Sequence, residues 1–162
     1  MDLYTPVVDT LNELAIPFQI VEHPPALTTE QADSFIEGID GVRTKTLFLC
    51  NRKKTAFYLL IMDSAKRLDM DAFKETVGES RISMASSNSL FEKMKLSAGV
   101  VSPFGLLNTP EKDIAVYIDQ AIMSEERMSF HPNTNEKTLF LASTDLLKFL
   151  AHIGCPANMI EL

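Results

Sequence analysis

Apolar positions recur along this chain with two periods, and the switches between them mark out its elements. Leu3, Val7, Leu11 and Leu14 stand at helical spacing, which predicts an amphipathic helix over 2–15. Residues 16–23 read as a strand closed by Pro24-Pro25. Thr28 followed by Gln31 has the form of a capping box for a short helix through Ile36. Two apolar runs follow, 44–50 and 55–63, separated by Asn51-Arg52-Lys53-Lys54, and read as a hairpin. Asp69 or Asp71 can cap a helix that ends at Gly78.

The second half continues in short pieces. Residues 81–85 predict a strand, and Ser86-Ser87-Asn88 caps a helix through Lys95. Residues 99–108 predict a loop, with Gly99, Pro103 and Gly105 as its turn residues. Strands are expected at 114–118, 128–130 and 137–142. A final helix starts at Thr144 or Asp145, runs to Ile153 and stops at Gly154. Hairpins outnumber regular strand–helix alternation, so the pattern predicts an α+β fold with a mixed sheet rather than a doubly wound one. With 162 residues and no repeat, linker or low-complexity tract, one domain over 1–162 is expected.

Composition adds exclusions. Hydrophobic residues make up 46% and charged residues 23%, which rules out a disordered tail, a collagen-like rod or a coiled coil. The longest apolar run, 56–62, is strand-sized, so no membrane span is expected. Met1-Asp2-Leu3-Tyr4-Thr5 carries no basic region of a secretory signal. Cys50 and Cys155 fit no disulfide or metal spacing, which points to a reduced, cytoplasmic protein.

The net charge of −7 argues against a general nucleic-acid binder. Its distribution is uneven. Residues 1–42 carry eight acids and no Lys or Arg, whereas residues 43–95 carry eleven basic residues against six acids. A solvated surface explains such blocks, and so does a local basic face for phosphates on an otherwise acidic protein.

Most familiar chemistry is missing. There is no G-x-G-x-x-G, no G-x-x-x-x-G-K-[ST] and no G-x-S-x-G. His23, His131 and His152 stand apart in sequence and suggest no zinc site. Asp63, Asp69 and Asp71 lack the rest of a calcium loop. Cys50, inside an apolar run, reads as a structural thiol.

Three segments remain. Lys45 shares a strand face with Leu47 and Leu49, so its ammonium either reaches out to solvent or is aimed into a pocket, where it would suit a phosphate or carboxylate. The loop Gly99-Val100-Val101-Ser102-Pro103-Phe104-Gly105-Leu106-Leu107-Asn108 is uncharged and can bring backbone groups close to a ligand, or can be a simple turn. Phe130-His131-Pro132-Asn133-Thr134-Asn135 is a polar cluster in which proline holds His131 extended.

In this order and at these distances, the three segments resemble the YbaK/ProX family of aminoacyl-tRNA deacylases, which includes the editing domain of bacterial prolyl-tRNA synthetases. The marks are Thr44-Lys45-Thr46-Leu47-Phe48-Leu49, the Gly99–Asn108 loop, and His131-Pro132-x-x-Asn135-x-x-Thr138, and the resemblance spans nearly the whole chain. The S-P-F-G-L and H-P-x-x-N pattern is most similar to the branch that hydrolyses alanine mischarged on proline tRNA. Thr46 departs from several relatives, which have Asn there, so preference for Ala, Cys or Ser stays open.

The resemblance implies a mixed, curved sheet flanked by helices. It implies ester hydrolysis that frees the amino acid from the terminal adenosine of tRNA, with no metal, no cofactor and no protein nucleophile. Lys45 would hold the phosphate of that adenosine. Gly99, Ser102, Pro103, Phe104 and Gly105 would line the aminoacyl pocket and help to place water, while His131 and Asn135 would shape it. A ribose hydroxyl of the substrate would assist the attack. The implied partners are the acceptor end of proline tRNA and a recruiting prolyl-tRNA synthetase, with no membrane. The assembly would be a monomer or homodimer. A non-catalytic module that recognises a tRNA end or an amino acid is the alternative.

Overall fold

A computed structural model describes residues 2–109 and 111–162, with every side chain among them except that of Thr29. The first helix, α1 (Thr5–Glu13), has Pro6 in its first turn and buries Val7 and Leu11, four residues apart. It is shorter than the periodicity of 2–15 predicts, because Asp2 stays outside the helix and accepts the backbone N–H groups of Tyr4 and Thr5. Strand β1 (Phe18–Glu22) leads to α2 (Thr29–Phe35). The Thr28 hydroxyl accepts the Gln31 N–H at 3.1 Å, and Gln31 Oε1 accepts the Leu27 N–H at 2.9 Å, so the capping pair is reciprocal.

Strands β2 (Val42–Asn51) and β3 (Phe57–Asp63) form the expected hairpin, closed by Asn51 Oδ1, which accepts the N–H groups of Thr55 and Ala56. Helix α3 (Met70–Val77) starts at Asp69, whose carboxylate accepts the Ala72 N–H, and stops at Gly78 with φ 75°. Strand β4 (Ile82–Met84) and α4 (Ser87–Met94), capped by Ser86, follow. Strands β5 (Ile114–Asp119), β6 (Arg127–Phe130) and β7 (Lys137–Ala142), helix α5 (Ser143–His152) and strand β8 (Ala157–Ile160) complete the chain.

Residues 99–108 and 157–160 also differ from the sequence expectation. Residues 99–108 are not an open loop. They fold into 3-10 turns at Ala98–Val100 and Pro103–Asn108, with Pro103, Phe104, Gly105 and Leu106 buried. Strand β8 has no apolar run to announce it and exists because β5 offers it a parallel ladder over Val116–Asp119.

The sheet is mixed and does not close. Its order is β1-β7-β6-β2-β3-β5-β8, with β4 paired to β2 off this path. Both of its faces are covered, which is why β3 reads as a continuous apolar run. Phe57, Leu59 and Ile61 join the larger core under α1, α4 and α5, while Tyr58, Leu60 and Met62 pack with Phe73 of α3 in a second core.

Candidate functional site

The site follows from how β2 changes partners. On one edge, β2 pairs with β3 from Thr44 to Cys50. On the other, it runs parallel to β6 only at Val42 and Arg43 and meets β4 only from Leu49 to Asn51. Between these contacts the edge from Thr44 to Leu47 has no ladder partner, and the sheet opens. A cavity of about 400 Å³ fills the opening. Its floor is β2 around Lys45 together with Ser129, Phe130, His131 and Thr138, and its roof is the 26–36 segment with α2. Gly99 and Val101 supply a side wall. At the rim, Leu27 is 80% exposed.

Lys45 lines this cavity and is half-buried. No carboxylate of the described residues lies within ion-pairing distance of its ammonium. Lys45 is thus a cavity-lining residue without an ion-pair partner among the described residues. Leu47 and Leu49, which share its face, pack into the second core. Thr44 next to it donates its hydroxyl to the Ser129 carbonyl at 2.5 Å and so ties β2 to β6 at the point where they part.

His131 also lines the cavity. Burial pushes its imidazole below the usual value of 6.5, and His23 nearby adds to this, against the Lys137 carbonyl and the Asp33 carboxylate, which favour the charged ring. The ring is thus neutral at pH 7. Its Nδ1–H donates to the Lys137 carbonyl at 3.3 Å, which leaves Nε2 as an acceptor. His23 lies edge-on to His131 with ring centroids 6.5 Å apart, and its Nε2 is 2.9 Å from the Thr138 hydroxyl.

The roof is held by polar contacts at both ends. The His23 N–H donates to the Glu136 carbonyl and the Ala26 N–H to that of Asn135, so the segment before α2 pairs with the loop after His131. Asn135 does not line the cavity. Its amide donates to the Ala26 carbonyl at 3.4 Å, so it fixes a lining residue from outside. Past α2, the Arg43 guanidinium donates to the carbonyls of Ile36, Ile39 and Gly41 at 2.7–2.9 Å while lying against the Phe140 ring. His23 stacks on Phe35 of α2 at 5.0 Å.

Ser102, Pro103, Phe104 and Gly105 sit behind the wall rather than on it. Phe104 is fully buried against Phe130 and Phe149. A Cβ on Gly105 would come within 2.5 Å of Leu96 Cδ1 and 2.7 Å of Met94 Cε, so this glycine serves close packing. The Ser102 hydroxyl donates to Asn133 Oδ1 and accepts the Phe104 N–H, both at 3.1 Å. Within residues 99–105, the wall itself is Gly99 and Val101.

Several contributors carry no signal that sequence reasoning can use alone. Arg43, Thr44 and Ser129 act through contacts with distant strands. Asp33 reads as a helix residue in an acidic stretch. His23 looks isolated because its partner Thr138 is 115 residues away. The 130–135 cluster does point to Asn133, whose φ of 61° suits asparagine better than most residues.

Among the described residues, no three His, Cys, Asp or Glu side chains converge as metal ligands would. No helix among them is long and apolar enough to cross a membrane. The cavity lining presents a Lys45 ammonium with no ion-pair partner among the described residues, imidazole and hydroxyl acceptors, and backbone groups. Such a site can bind an anionic ligand and place a water molecule against it.

The chain is similar to known proteins along most of its length. The aminoacyl-tRNA editing domain matches residues 23–149. The whole chain is 33% identical to the prolyl-tRNA editing protein ProX of Acetoanaerobium sticklandii and covers 99% of it. Over 89% of its length, it is 30% identical to prolyl-tRNA synthetase associated domain-containing protein 1 of Bos taurus and covers 86% of that protein. A crystal structure described as that of a candidate trans-editing enzyme for prolyl-tRNA synthetase superposes with a TM-score of 0.76 at 18% identity, over 100% of this chain and 98% of that one. This last likeness concerns the fold.

Proposed function

The chain belongs to the aminoacyl-tRNA editing domain family, and from that premise we propose that residues 1–162 act as one freestanding domain that hydrolyses mischarged aminoacyl-tRNA, with Ala-tRNA(Pro) as its substrate. The observation that carries the reading is Lys45, without an ion-pair partner among the described residues, at a cavity of about 400 Å³ that Gly99 and His131 also line.

In this reading, Lys45 holds the phosphate of the terminal adenosine as a point charge. The aminoacyl group enters between the Gly99–Val101 wall and His131. Water adds to the ester carbonyl carbon, the bond to the ribose oxygen breaks, and that oxygen takes a proton. The products are free amino acid and tRNA. A ribose hydroxyl of the substrate assists the attack, and the reading needs no metal and no protein nucleophile. Catalysis then rests on positioning and on a pocket from which bulk water is excluded. Selectivity rests on size: a pocket that admits alanine can reject proline by clash, which discriminates more than the ~1–3 kcal/mol of a missing methylene.

Ser102, Pro103, Phe104 and Gly105 support the wall from behind, and Asn135 supports the roof. The basic 43–95 segment carries Lys45 and would meet the acceptor end of proline tRNA, with prolyl-tRNA synthetase as the recruiting partner. Release of labelled alanine from Ala-tRNA(Pro) by the purified protein tests the reading. Tight binding of the charged tRNA without release would instead identify a recognition module.

A further inference from the structure

Lys45 is one charged group that lines the cavity, and the same lining also carries acceptors. Thr138 is 3% exposed, lines the cavity, and places its hydroxyl 2.9 Å from His23 Nε2. His23 Nδ1 lies 2.8 Å from the Pro24 carbonyl, which can only accept. In the neutral ring the proton is therefore on Nδ1, Nε2 is an acceptor, and the Thr138 hydroxyl must donate to it. The hydroxyl's own proton is thereby committed to His23. What it offers the cavity is oxygen lone pairs, and no described residue donates to them.

His131 adds a second acceptor. Its Nδ1–H is turned to the Lys137 carbonyl, so Nε2 of the neutral ring carries a lone pair. Asp33 of α2 adds a third. Its half-buried carboxylate lines the same cavity, has no ion-pair partner among the described residues, and is close enough to His131 to favour the charged ring. The cations at the cavity do not answer it. The Arg43 guanidinium is spent on three carbonyls, and Lys45 is beyond ion-pairing distance.

Three acceptors, one of them charged, fit a primary ammonium, which has three N–H donors and one positive charge. We propose that Asp33, Thr138 and His131 hold the α-ammonium group of the aminoacyl substrate, with His23 as the positioning residue that locks Thr138 as an acceptor. The inference rests on the deacylase reading and deepens it. The cavity is bipolar, with phosphate at Lys45 and ammonium at Asp33, and the ester lies between them. A substrate whose amino group is acylated offers neither the charge nor the three donors, so such tRNAs are refused.

The test is calorimetric and needs no turnover. The probes are the alanyl amide of 3′-amino-3′-deoxyadenosine 5′-phosphate and its propionyl counterpart, which lacks only the amino group. Wild type binds the alanyl amide about tenfold or more tightly than the propionyl amide. Asp33→Asn and Thr138→Val each bring that ratio toward one, while Thr138→Ser retains the ratio. Equal binding of both probes by wild type, binding of neither, or a ratio unchanged in both Asp33→Asn and Thr138→Val overturns the ammonium site. Deacylation of Ala-tRNA(Pro), measured separately, judges the underlying reading, so its failure is distinguished from failure of this inference.

Discussion

Ser102 donates its hydroxyl to the side-chain oxygen of Asn133 at 3.1 Å, and both residues are buried. The pair joins the two loops that flank the cavity. Asn133 Nδ2 donates in turn to the carbonyls of Leu3 and Phe104, so one side chain links the N-terminal segment, the wall and the His131 loop. Every polar atom of this amide is used. Asn133→Ala leaves buried partners unpaired and puts alanine at a φ of 61°, so it costs about 2–4 kcal/mol. Ser102→Ala removes fewer contacts and costs about 1–2 kcal/mol. Urea unfolding of both variants checks the order as well as the size.

Lys45 gives the opposite profile. It makes no ion pair among the described residues, so Lys45→Ala changes stability by less than about 0.5 kcal/mol. Loss of a charge-assisted phosphate contact of ~1.5–3 kcal/mol lowers deacylation roughly 10- to 150-fold. Single-turnover assays on the folded variant measure this. Unchanged activity removes Lys45 from the phosphate role.

His131 sets a pH dependence of stability. Burial, the largest cause, holds its folded pKa below 6.5, so between those two values the unfolded chain binds more protons than the folded one. Stability from this group is complete above pH 6.5. It falls as pH drops through 6.5 toward the folded pKa and levels off below that. His131→Gln removes this component, so the difference between the wild-type and variant unfolding curves slopes over that window and is flat above it. A constant difference across the window contradicts the burial argument.

Gly99 and Gly105, six positions apart, respond differently to the same change. A Cβ at Gly105 meets Leu96 and Met94 at 2.5 and 2.7 Å, and Gly105→Ala costs about 1–3 kcal/mol as these side chains give way. Nothing lies within 4 Å of a Cβ at Gly99, where alanine leaves stability within about 0.5 kcal/mol. Thermal melts of the two variants separate a packing glycine from a cavity-wall glycine.

The contrast between these glycines also shows how far the sequence carries. Both stand out as loop glycines, but whether a side chain would strike Leu96 or open space depends on tertiary packing. The strands at 44–50, 55–63 and 137–142, the caps at Thr28, Asp69 and Ser86, and the stop at Gly78 were legible because local propensity and burial agree there. The cavity was not, because it arises where β2 changes partner from β6 to β4, and no local pattern records that. Lys45 could be singled out as an ammonium on an apolar face. Thr138 appeared only as a mark of the family resemblance, and its partner His23 only as an isolated histidine. Asp33 and Arg43 carried no sign of their roles, since those are fixed by contacts across the roof.

The most direct measurement is amino-acid release by the purified protein from Ala-tRNA(Pro), with Pro-tRNA(Pro) and Cys-tRNA(Pro) in parallel. Rapid loss of alanine alone, with proline and cysteine retained, is the predicted result. Ala-tRNA(Pro) that stays charged in the presence of well-folded protein contradicts the account.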